Sequence, residues 1–138
     1  MARGEKTRCG GTMTEAQFNS MIKSLLRAGS RRWAPISQCD RNATVRRGVR
    51  RCAGCQEEVK VTTVIDGKRK KNTSIDHIVP IVPVTGFRSW DEVIENMFCE
   101  IEELQLLCLP CHKEKSKLET AERAAARRAK KKKEVDNE

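Results

Sequence analysis

With 138 residues, 38% hydrophobic and only 4% aromatic, the chain has material for one modest domain but too little bulky apolar surface to hold it by burial alone. A net charge of +9 makes a neutral partner a poor fit and a polyanion such as nucleic acid a good one. No apolar run has the length of a signal peptide or membrane span, so a reducing cytoplasm is the expected setting for the seven cysteines, and metal the expected supplement to the core. The charge is unevenly spread: +9 over residues 1–51, −4 over 52–112 and +4 over 113–138. An acidic centre between basic flanks suits a site that holds a cation while its surroundings hold phosphate.

Residues 1–13, polar and glycine-containing, read as a flexible basic arm. Thr14-Glu-Ala-Gln17 has the form of a capping box, and Phe18, Met21, Ile22 and Leu25 recur behind it at helical spacing, so a helix is expected over about 15–28, ended by Gly29. A second helix opens at Ser30 to Pro35, carries Ile36, Cys39 and Ala43 on one side and stops by Gly48. Residues 14–51 thus form a basic helical extension. Arg31, Arg32, Arg46, Arg47, Arg50 and Arg51 crowd it and are candidate phosphate contacts, against the plainer reading of a solvated basic face.

Beyond Cys55 the pattern alternates, with Val59, Val61, Thr63 and Ile65 on one side, and Asp66-Gly67 signals a hairpin that returns through Lys68 to Lys71 toward Asp76 and His77. Lys70 and Lys71 are candidate DNA contacts or simply a charged edge that discourages aggregation. Pro80 and Pro83 impose a loop. Ser89-Trp-Asp-Glu92 is a second capping box opening a helix to about Phe98, with Val93, Ile94, Met97 and Phe98 facing inward. Leu104, Leu106 and Leu107 form a run that should pack in the core and carry Cys108 back toward Cys52. A last helix starts after Pro110. Its apolar stripe of Leu118, Ala121 and Ala125 fades, leaving residues 121–138 as a basic helical or disordered tail.

The chemistry concentrates between these elements. Cys52, Cys55, Cys108 and Cys111 form two Cys-x-x-Cys pairs, the spacing of a closed tetrahedral zinc site, and the 52 residues between the pairs leave room for a functional insert. Cys9, Cys39 and Cys99 read as small hydrophobes or surface thiols. Within the insert, Asp76 offers a hard oxygen, and His112 a nitrogen at the mouth of the last helix; together they suit a second ion such as Mg2+ with positions left for water and a phosphate oxygen. His77, on the opposite face of its strand, is placed to act as general base. The alternative is that His112 replaces a cysteine on zinc.

Asp76-His77-Ile-Val-Pro80, Glu103-Leu-Gln-Leu-Leu-Cys108 and Cys111-His112-Lys-Glu-Lys115-Ser116 resemble the HNH endonucleases of the ββα-metal class, especially the small HNH proteins of tailed bacteriophages. Segments Phe18 to Trp33, Gly86 to Glu92 and Phe98 to Glu100 extend the likeness, over roughly residues 14–120. The resemblance implies an α+β fold: a ββα-metal (HNH) core over 52–120, stapled by a four-cysteine zinc site, with an N-terminal helical extension and a basic C-terminal helix. It implies hydrolysis of a DNA phosphodiester to 5′-phosphate and 3′-hydroxyl ends, with single-strand nicking by a monomer as the expected form. His77 would be the base, Asp76 and His112 the catalytic ligands, and Lys115 a phosphate neighbour; Ser116 stands where some relatives place another histidine. Glu103 occupies the position of the family's asparagine, where it can only accept hydrogen bonds; it would orient His77 or leave its loop loose. A non-catalytic zinc-stapled module, accessory to a phage packaging or replication assembly, is the competing expectation, and the host cytoplasm the implied location.

Overall fold

In the computed structural model, which describes residues 4–137, backbone contacts divide the chain into two units, Met1–Trp33 and Ala34–Glu138. The described residues are α+β, with four α-helices and small antiparallel sheets. None of the described helices is long and apolar enough to cross a membrane.

The first unit is built on helix α1 (Glu15–Ser30). Its capping box is complete: Gln17 N–H donates to Thr14 Oγ1 at 3.1 Å, and Thr14 N–H to Gln17 Oε1 at 2.9 Å. These reciprocal bonds satisfy donors that the first turn leaves unpaired. The expected arm is more ordered than its composition suggests. A bridge between Arg8 and Met13 folds residues 8–13 into a tight turn, and Arg8 then pairs with Glu15 at 2.8 Å and lies 4.2 Å from the Phe18 ring centre. Gly10 and Gly11, at φ 62° and 80°, allow that reversal. Residues 1–3 of the arm lie outside the described residues.

The second unit opens with α2 (Ala34–Asn42), followed by β1 (Thr44–Arg46) and β2 (Val49–Arg51), which pair antiparallel. The expectation of a helical extension reaching residue 51 is therefore corrected. After Asn42 the β-branched Thr44 and Val45 favour extended backbone, and Gly48 at φ 76° turns the chain into a hairpin. β3 (Glu58–Lys60) completes this three-stranded sheet against β2. β4 (Thr62–Ile65) and β5 (Lys68–Lys71) pair separately, through Asp66 and Gly67 at φ 52° and 72°, the two-residue turn that Asp-Gly favours.

β6 (Thr73–His77) and β7 (Leu104–Cys108) form the central pair, in the register Asp76 opposite Gln105 and His77 opposite Leu104. Between them lie the proline loop, α3 (Trp90–Met97) and a short 3-10 turn at Ile101–Glu103. Ser89 caps α3 by accepting from Glu92 N–H at 3.2 Å, but the Glu92 carboxylate pairs with Arg88 instead of closing the box. Val93 and Met97 are buried, whereas Ile94, expected to face inward, is 41% exposed. α4 (Leu109–Asp136) starts directly from β7, with Pro110 in its first turn, and continues through most of the stretch expected as a helical or disordered tail.

Ile75 and Leu104 pack on one side of the central pair with Ile36 and Cys39 of α2 and with Cys99. Leu107 packs with Cys52, Cys108 and Val59. Six of the ten buried hydrophobic residues are not cysteine, a small core for this unit. What the four cysteines do together therefore weighs heavily on its stability.

Candidate functional site

The strand pair sets the two ends of the site. At one end, β7 delivers Cys108 to the start of α4, Cys111 follows one turn on, and Cys52 and Cys55 approach from the turn after β2. The four sulfurs lie within 4.8 Å of one another, with Cys55 and Cys108 at 3.9 Å. Tetrahedral zinc, with bonds of about 2.3 Å, spaces its sulfurs about 3.8 Å apart. The cluster could thus hold a metal ion such as zinc.

Local backbone is shaped to this cluster. A Cβ on Gly54 would lie 3.1 Å from Cys111 Sγ and 3.2 Å from its Cβ, so any larger residue there would press on Cys111 and push it by a few tenths of an ångström. Gln56, just past Cys55, takes φ 62° and is braced by its side-chain amide donating to Ala53 O at 2.9 Å. Burial acts to raise the Cys52 thiol, but the N–H groups of Cys108, Cys55 and Gly54 outweigh it and lower the thiol to about 6. Hydrogen bonding to the Cys108 and Cys52 sulfurs pushes Cys111 up to about 12, and burial raises Cys108. The metal-free cluster therefore holds protons on the sulfurs of Cys108 and Cys111 more firmly than ordinary thiols do. Because ligand sulfurs bind as thiolates, titration with Zn2+ at pH 7 is expected to release at least two protons per ion, from Cys108 and Cys111. Calorimetry in two buffers of different ionisation enthalpy measures this; release of none would mean that those two sulfurs do not ligate.

At the other end of the strand pair, Asp76 and His77 face opposite ways. Asp76 turns toward α4: Oδ1 is 3.8 Å from His112 Nε2, and Oδ2 accepts from Lys115 Nζ at 3.0 Å and Gln105 Nε2 at 3.1 Å. The first separation is too long for a hydrogen bond. Two adjacent ligands of one octahedral divalent ion, each about 2.1 Å from it, stand about 3.0 Å apart, so this oxygen and nitrogen, of suitable chemistry, would have to close by just under about 1 Å to share an ion. Among the described residues Oδ1 accepts no hydrogen bond.

His77 turns toward α3, and its Nε2 lies 3.0 Å from Met97 O. A carbonyl oxygen only accepts, so Nε2 carries the proton and Nδ1 is left as the basic nitrogen. The ring is thus oriented by the last residue of α3, not by Glu103. The Glu103 side chain is exposed, and that residue braces the loop through its backbone, accepting from Ile78 N–H at 2.9 Å.

Lys115, expected near phosphate, is engaged within the protein. Besides Asp76 it donates to His77 O at 2.9 Å and pairs with Glu119. Burial acts to lower its pKa, and the bonds to Glu119 and Asp76 override this and raise it. Lys115 is therefore a fixed counter-ion that holds Asp76 and the end of β6 against α4. Gln105 and Glu119 are site neighbours missed by the motif reading. The first follows from cross-strand register with Asp76 and the second from the i,i+4 spacing with Lys115.

The candidate phosphate contacts separate into two groups. Arg46 and Arg51 both pair with Glu58, and Arg50 makes a two-pronged bond to Asp40 at 3.1 Å that raises its pKa and ties β2 to α2. Arg31, Arg32, Arg47, Lys70 and Lys71 are exposed and form no ion pair among the described residues. Comparison with family profiles, with curated proteins and with solved structures returned no match.

Proposed function

We propose that the chain is a metal-dependent DNA endonuclease of the ββα-metal (HNH) class that nicks as a monomer, with Cys52, Cys55, Cys108 and Cys111 holding a structural zinc ion. The observation that carries this reading is the approach of Asp76 Oδ1 to His112 Nε2, 3.8 Å apart, on the face of the strand pair opposite the His77 ring. A strand pair that runs directly into a helix, with the candidate ligands on strand and helix, supports it further. Asp76 and His112 would hold the catalytic divalent ion. Such an ion, when bound, supplies charge stabilisation at a phosphate oxygen and at the leaving 3′ oxygen. His77 takes a proton from water at Nδ1 while Met97 O fixes the ring, and Lys115 and Gln105 hold the carboxylate in place.

A non-catalytic zinc-stapled nucleic-acid module, accessory to a phage DNA-processing assembly, is the second reading. Lys115 already neutralises Asp76, and an exposed Glu103 stands where the resembling family has asparagine. The readings separate on supercoiled plasmid incubated with Mg2+ or Mn2+. Wild-type protein is expected to convert it to open circles, and His77→Ala to do so at least about 10²-fold more slowly while shifting DNA equally in a gel. DNA shifted by both proteins and cut by neither establishes the binding module instead.

A further inference from the structure

The pair β4–β5 stands apart from the other sheets, hydrogen-bonded to no third strand. A two-stranded ribbon in water is at best marginally stable, and this one is wet on both faces: all four residues of β5 are exposed, and Val64 and Ile65 opposite them are 68% and 42% exposed. Every residue of β5 is a cation, and among the described residues none of the four meets a carboxylate. Arg46, Arg50, Arg51 and Arg88, elsewhere on the surface, are all paired. Four adjacent unpaired like charges weaken a free ribbon, and an anion along them would reverse the effect.

The register shows what shape that anion must have. Lys71 lies opposite Thr62 and Arg69 opposite Val64, on one face; Lys70 opposite Thr63 and Lys68 opposite Ile65, on the other. A flat anionic surface would engage two of these charges and leave two idle. A groove with a phosphate wall on each side engages all four. The major groove of B-DNA, about 12 Å wide, admits a two-stranded ribbon.

We infer that the β4–β5 ribbon seats in the major groove of double-stranded DNA, one face toward each phosphate wall, and anchors the chain on the duplex. This rests on the DNA-directed reading above but not on catalysis. The root of the ribbon is firm. Asn72 N–H donates to Val61 O at 2.8 Å, its side chain donates to Lys60 O at 3.2 Å, and its carbonyl accepts from Leu109 N–H at 3.0 Å, at the start of α4. From Lys71 to Asp76 is five residues of extended chain, at most about 18 Å, so the ribbon's root lies within about five base steps of Asp76.

The test compares the quadruple variant K68Q/R69Q/K70Q/K71Q with K130Q/K131Q/K132Q/K133Q, which removes the same charge from the exposed end of α4. Each binds a short duplex and the single strand of the same sequence over a range of salt. The ribbon variant is expected to lose at least about tenfold in duplex affinity, to lower the salt slope by about 2 to 4, and to lose the preference for duplex, while the α4 variant changes less than half as much. Equal losses in both variants, or wild-type protein that binds single strands as tightly as duplex, would overturn the inference, as would wild-type protein that binds no DNA. Thermal unfolding checks that both variants are folded. Duplex held through the ribbon, with plasmid left uncut in Mg2+, keeps the ribbon and removes the nuclease. Plasmid nicked equally by wild type and ribbon variant, with equal duplex affinity, does the reverse.

Discussion

Cys108→Ala is expected to abolish both metal binding and cooperative unfolding of the second unit. Cys108 ends β7, precedes the first residue of α4, lies opposite Thr73 in the central register and donates its N–H to Cys52 Sγ at 3.3 Å. Its sulfur ties the strand pair to the turn after β2, so losing it disconnects three elements at once. A structural zinc site of this kind contributes roughly 10–16 kcal/mol of apparent binding energy, comparable with the roughly 5–15 kcal/mol by which a whole domain is stable. Metal analysis should fall from about one zinc per chain to none, and the calorimetric transition should disappear; treating wild-type protein with a strong chelator should do the same. Cys39→Ala, a buried cysteine of the other cluster, supplies the contrast, with its zinc kept and a cost of about 1 kcal/mol. If Cys108→Ala unfolds like the contrast variant, the cysteines are not a staple.

Asp76→Asn is expected to lower plasmid nicking by about 10³-fold with zinc content unchanged. The substitution keeps the shape of the side chain and removes the charge beside His112. Lys115 retains Glu119 as a partner, so the stripe between α4 and β6 stays neutralised and the fold should persist. Loss of activity together with loss of zinc would point to collapse instead of chemistry. Nicking at the wild-type rate would remove Asp76 from the reaction, and the argument for a second metal with it.

Some of this was readable from the residues. Thr14 with Gln17, Asp66 with Gly67, the two cysteine pairs and the Leu104–Leu107 run each state a local rule that tertiary structure had no reason to override, and each appears as expected. The hairpin of residues 44–51 was hidden because strands of three residues carry no alternation to detect, and a string of arginines fits a helix equally well. Ile94 misled because α3 has two turns and buries only Val93 and Met97 fully. The orienting partner of His77 was beyond any motif: it is the backbone carbonyl of Met97, which every residue type would supply.

The docking of α4 was hidden for a different reason. A search for apolar spacing finds Leu118 and then little, yet Leu118 is 63% exposed and does not dock the helix. The polar contacts are made by His112, by Lys115 with Glu119 as its neighbour on the helix, and by Arg123, whose guanidinium donates to Val82 O at 2.8 Å and Pro83 O at 3.1 Å. Spaced by three, four and four residues, they form a single stripe along the helix, polar throughout and so invisible to a hydrophobicity pattern.

That stripe makes the reading frame of α4 part of the machinery. One extra residue after His112 would rotate everything beyond it by about 100°, taking Lys115 from Asp76 and Arg123 from the proline loop in one step. The same insertion after Arg123 would displace only solvated turns. Change in length is thus forbidden over three turns of the helix and permitted over the remainder, a boundary drawn by the reach of its polar contacts.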